Sequence, residues 1–89
     1  MKIQLSKDAV CGIIEIPKGD YLASLGSDNG QIVLVGGGRD FKIPAVRRRA
    51  NVKTKRTTVT FSGGGGKIWS LVIASPKLGE WISMIQYKD

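Results

Sequence analysis

Eight cationic side chains stand within eighteen residues: Arg39, Lys42, Arg47, Arg48, Arg49, Lys53, Lys55 and Arg56, with Asp40 the only acid among them. This window, 39–56, is net +7, and the rest of the 89-residue chain, with six basic and six acidic residues, is neutral. Charge confined in this way repels itself and weakly opposes folding, so it implies an anionic partner. Successive arginines fan out around the backbone whether the segment is helical or extended. That suits phosphate contacts, which position a nucleic acid without reading its sequence. Binding of single strands also uses aromatic stacking, and Phe41 is the only aromatic inside the basic window. Tyr21 and Phe61 are the other candidates to reach it, and no aromatic run of the kind an RNA-binding sheet presents is found. The bland alternative, a solvated basic loop that keeps a protein soluble, uses the same residues.

Other chemistry finds less support. The run Gly63-Gly64-Gly65-Gly66-Lys67 has the composition of a phosphate loop but not its spacing. Phe61 stands five before Gly66, Ile68 stands where Ser or Thr would hold magnesium, and strand-like sequence follows. Gly36-Gly37-Gly38 lacks the third glycine at the dinucleotide spacing, where Phe41 stands. Both runs read as connections or bulges at sheet corners, with an anion-binding nest beside Lys67 as a weaker reading. Without histidine, the acid–base candidates are Asp8, Glu15, Asp20, Asp28, Asp40, Glu80 and Asp89. Most flank turns or termini, and no two fall at a spacing that would place them across a cleft. These observations predict no enzyme, no cofactor and no metal. Cys11, the only cysteine, lies in the apolar run 9–14 and reads as a small buried hydrophobe rather than a reactive thiol.

The elements that would carry the basic window are strands. Twelve glycines, many β-branched residues and ordinary hydrophobicity (42%) predict one all-β domain over 1–89. A chain this short buries only about 60–65% of its unfolded surface, so the core is expected to be thin. Asn29-Gly30 is the preferred pair for a two-residue type I′ turn. It places Asp28 opposite Gln31, Leu25 opposite Leu34 and Ser24 opposite Val35. A second hairpin, 67–75 with 80–87, turns at Pro76-Lys77-Leu78-Gly79; pairing Ser75 with Glu80 sets Ile73 against Ile82, Leu71 against Met84 and Trp69 against Gln86. Both of its faces are then apolar, so it is either central in a closed barrel or sandwich or covered by another subunit. Strands are also expected over 9–16 and 51–62, and a turn or two of helix over 44–50, where an extended reading is nearly as good. About six antiparallel strands with this optional helix suit a small SH3-like or OB-like barrel, or a sandwich.

No stretch is apolar for the length of a membrane span, the N-terminus lacks the apolar core of a signal peptide, and a reducing cytoplasmic compartment is the default. The leading expectation is a non-catalytic small β-barrel that binds the phosphate backbone of DNA or RNA and forms homo-oligomers, with Trp81, Ile85 and Tyr87 as interface anchors. The alternative is a homo-oligomeric structural or adaptor protein whose basic segment meets an acidic protein. Binding to anionic lipid headgroups ranks last, because no amphipathic helix or lipidation signal accompanies the charge.

Overall fold

Apolar and polar residues alternate with period two through much of the chain, and the backbone follows them into strands. The computed structural model describes residues 2–26, 30–63 and 66–88. Ten strands form among them: β1 (Lys2–Leu5), β2 (Ala9–Cys11), β3 (Ile14–Ile16), β4 (Gly19–Leu25), β5 (Gln31–Gly36), β6 (Arg39–Pro44), β7 (Val46–Arg49), β8 (Thr58–Gly63), β9 (Ile68–Ser75) and β10 (Gly79–Tyr87). A four-stranded antiparallel sheet runs in the order β1-β4-β5-β6. A six-stranded one runs β3-β2-β10-β9-β8, with β7 added against β10. Their inner faces share one core: Ile3, Leu5, Tyr21, Ala23, Ile32, Leu34 and Ile43 from the first sheet, and Ala9, Cys11, Ile16, Leu71, Ile73, Ile85 and Tyr87 from the second. The all-β antiparallel class is as expected, and the two sheets do not close into a barrel.

Ten strands rather than six arise where the chain turns more often than its apolar runs suggest. The run 9–16 is not one strand but the hairpin β2–β3, folded about Gly12-Ile13 so that Cys11 pairs with Ile14. The run 51–62 is strand only from Thr58. Thr58 pairs with Ala74, one residue before β9 ends at Ser75, so a start more than one residue earlier would have no partner to bond. No helix forms over 44–50. Seven residues cannot offset the cost of helix nucleation, while the open edge of β10 offers β7 a ladder at Glu80, Trp81 and Ile82.

Both hairpins form, with altered registers. In the first, Leu25 pairs with Ile32 and Ala23 with Leu34, a shift of two residues from expectation. The connection is longer than two residues, Gly26 N–H donating to Gln31 O at 2.9 Å, and Asp28 and Asn29 lie outside the described residues. A shift of two keeps every side chain on its face. In the second, Ser75 pairs with Gly79 and Trp81 with Ile73, a shift of one, which exchanges the faces of β10 relative to β9. The turn is three residues long, closed by Gly79 at φ +87. Lys77 and Leu78 N–H both donate to Ser75 Oγ. Trp69, Leu71 and Ile73 therefore share the inner face with Trp81, Ser83, Ile85 and Tyr87. Ile85 and Tyr87, expected as oligomer anchors, lie in the core of the chain at 0% and 8% exposure.

Along β10, β7 pairs as far as Ile82 and β2 begins at Gln86, leaving residues 83–85 without a strand partner on that side. The buried Ser83 fills the gap, its hydroxyl donating to Pro44 O at 2.8 Å. With that hydrogen committed, the Cys11 thiol is the donor in its 3.3 Å contact with Ser83 Oγ. Ser83→Ala is expected to strand the Pro44 carbonyl and cost about 1–3 kcal/mol, read as a lower urea midpoint at unchanged slope.

At the other end of the core, Tyr21 donates its phenol to Pro17 O at 2.6 Å and meets Phe41 edge to face. Burial pushes the Tyr21 phenol above its ordinary value of 10.0; Arg39 opposes the shift and Asp8 adds to it. A folded-state value above the unfolded one means the stability Tyr21 contributes is complete below pH 10.0 and is lost as pH rises through the folded-state value. Tyr21→Phe is expected to remove that decline, so the stability gap between wild type and variant narrows above pH 10.0 in denaturation curves.

Candidate nucleic-acid interface

The basic window is a strand that changes sheets. Gly37 and Gly38, at φ +60 and +75, form the two-residue turn with positive φ at both positions that the sequence reading assigned to Asn29-Gly30. β6 leaves this turn at Arg39 as the edge of the four-stranded sheet. At Ala45, whose N–H donates to Gly30 O at 2.7 Å, the chain crosses over and becomes β7 of the other sheet. The irregular segment 50–57 follows and leads into β8.

This path separates the candidates. Six residues of strand cover roughly 20 Å, so Arg39 lies far from the arginines of β7, beside Pro17, Lys18, Asp20 and Tyr21. Lys42 is exposed on the outer face of the four-stranded sheet, opposite Val33. Phe41 points inward, half-buried against Tyr21, and does not present a free face for base stacking. What remains is the contiguous stretch that carries Arg47, Arg48, Arg49, Lys53, Lys55 and Arg56, all exposed.

Within that group the arginines differ. A bulge at Glu80/Trp81 sets Arg47 opposite Trp81 and Arg49 opposite Glu80, with Arg48 as the extra residue. The Arg47 guanidinium lies 6.0 Å from the centre of the Trp81 ring, and Trp81 Nε1 is held by Leu78 O at 2.8 Å. Arg48 donates from Nε and Nη2 to Glu80 Oε1, each at 2.5 Å, and this pair is neutral. Arg47, Arg49, Lys53, Lys55 and Arg56 form no ion pair among the described residues. Arg49, Asn51, Val52, Lys53 and Thr54 border an open groove of about 550 Å³ whose floor is Ala74 and Glu80. The Thr54 hydroxyl donates to Arg56 O at 2.7 Å and braces the segment.

Asn51, Thr54, Glu80 and Trp81 were not singled out for this site from sequence; only the register of β7 on β10 brings the last two to it. The glycine run is split: Gly63 pairs with Trp69 at the end of β8, while Gly64 and Gly65 lie outside the described residues, so the nest suggested there does too. Among the described residues no group of three His, Cys, Asp or Glu side chains is placed to hold a metal, and no helix is long and apolar enough to cross a membrane. The chain matches no family model, no curated protein and no solved structure. Its functional reading therefore rests on the site itself.

Proposed function

We propose that this chain is a non-catalytic nucleic-acid-binding protein that grips phosphates with β7 and the segment 50–56. The observation that carries the reading is the set of five exposed cations, Arg47, Arg49, Lys53, Lys55 and Arg56, on one continuous stretch with no acid among the described residues paired to any of them. Unpaired guanidinium and ammonium groups are available to displace condensed counterions from a phosphate backbone. The groove beside Arg49 and Lys53 adds neutral donors, Asn51 and Thr54, suited to phosphate oxygen. Such contacts bind without base specificity, and nothing in them calls for catalysis.

Salt-titrated binding to single- and double-stranded oligonucleotides tests the proposal. Each phosphate neutralised contributes a slope of roughly −0.7 to −0.9 in log K against log salt, so five contacts give about −3.5 to −4.5. Failure to bind either form at ~50 mM salt, where counterion release is most favourable, defeats it.

A further inference from the structure

A second surface stands out on the opposite chemical ground. On the outer face of the six-stranded sheet, the register aligns Thr60, Val72, Ile82 and Val46 in one row and Ser62, Ser70 and Met84 in the next. Ile68 lies beyond them, paired with Gln86. Val46, Ile68 and Met84 are 69%, 56% and 53% exposed, and Val72 and Ile82 are half-buried. On a molecule of net charge +7, these rows hold no charged residue; charge enters only at the next row, where Thr58, Ala74, Glu80 and Arg49 align and Arg48 pairs with Glu80.

We propose that this face is the contact between two copies of the chain, packed sheet against sheet about a two-fold axis. An isologous interface sets a patch against itself, so any uncompensated charge would repel its own copy; the apolar rows carry none, and the unpaired Arg49 falls in the row at their end. Aliphatic and thioether side chains on a pleated surface interdigitate as in the two layers of a sandwich, about 10 Å apart. The four strands, of four, six, eight and nine residues and ~4.8 Å apart, give a footprint of ~430 Å². The corrugated accessible area exceeds the footprint and approaches the roughly 600 Å² per partner at the low end of specific interfaces. Association in the micromolar range follows, because this area lacks a large aromatic anchor. The groove at Ala74 and Glu80 borders the patch, so the dimer carries two basic strips beside one interface.

The contact has a salt dependence of its own. Two copies of charge +7 repel each other over distances that salt screens, so dimerisation strengthens from ~50 to ~500 mM salt, the reverse of nucleic-acid binding. Sedimentation equilibrium at both salts is expected to show a reversible dimer that is favoured at the higher one. Met84→Lys, which buries a cation against its own copy, is expected to weaken association by at least about tenfold. Leu22→Lys, at an exposed position on the outer face of the other sheet, is expected to leave association unchanged. Circular dichroism and thermal melts of both variants check that each is folded. A wild type that stays monomeric at both salts overturns the proposal, as does equal weakening by the two variants. Association that appears only with added lipid vesicles overturns it also. Met84→Lys is expected to keep the per-protomer salt slope for oligonucleotides, so loss of the dimer and loss of nucleic-acid binding are separate results.

Discussion

Gly79→Ala is expected to lose about 2–5 kcal/mol of folding free energy, read as a lower urea midpoint. Two costs add at this position. The φ of +87 is strained for any residue with a Cβ, by roughly 1–2 kcal/mol. An added Cβ would also stand 2.3 Å from Arg49 O and 3.0 Å from Ala50 O. Both are backbone atoms and neither can rotate aside, so relief requires β7 to move off β10. Gly37→Ala separates the two costs: its φ is +60, but nothing lies within 4 Å of the added carbon. Strain alone then applies, and the loss is expected to stay near 1–2 kcal/mol. Faster amide exchange at Val46 and Arg47 in Gly79→Ala would register the displacement of β7 directly. Equal losses in the two variants would show that the collision with Arg49 is relieved at no cost.

The second large effect concerns binding. Changing Arg47, Arg48 and Arg49 together to Ala is expected to lower oligonucleotide affinity about 10²–10³-fold at ~50 mM salt, since each phosphate contact is worth roughly tenfold there. The three are not equivalent. Arg47 and Arg49 face solvent without an acid, so each single change should reduce the salt slope by about 0.7–0.9. Arg48 is already spent on Glu80, and its removal should alter the slope less while leaving an uncompensated carboxylate in the groove. Arg39→Ala, at the far end of β6, should leave the slope nearly unchanged. An unaltered titration in the triple variant would remove β7 from the site.

Which parts of this were legible from the sequence follows from the range of the interactions involved. Period-two alternation announces strands locally, and turn residues announce both hairpins, because each signal lies within a few neighbouring residues. Register depends on how many residues a turn spends, and that escaped detection: the one-residue difference at 76–78 moved Ile85 and Tyr87 onto the face of Trp69, Leu71 and Ile73. The segment 44–50 was ambiguous because what makes it extended is the edge of β10 more than thirty residues later. The concentration of basic residues was plain in the sequence. Its division was not, since Arg39 and Arg49 part company only where the chain crosses between sheets at Ala45. Glu80 and Trp81 entered the site through β7–β10 pairing, with Arg48 and Glu80 thirty-two residues apart.

β10 bonds with β9 along one edge and with β7 and β2 along the other, and all three precede it in the chain. Only the β9 partnership is local; the pairing of Gln86 with Val10 closes a loop of most of the molecule. Non-local pairings of this kind slow folding, because the entropy of closure is lost before the contacts form. During synthesis the consequence is vectorial. The hairpins β4–β5 and β5–β6 can assemble as they emerge, but β2, β3 and β7 have no central strand to join until β10 is out of the ribosome. Until then the inner faces of both sheets stay open to water and to other nascent chains, and β10 is the strand that ends that exposure.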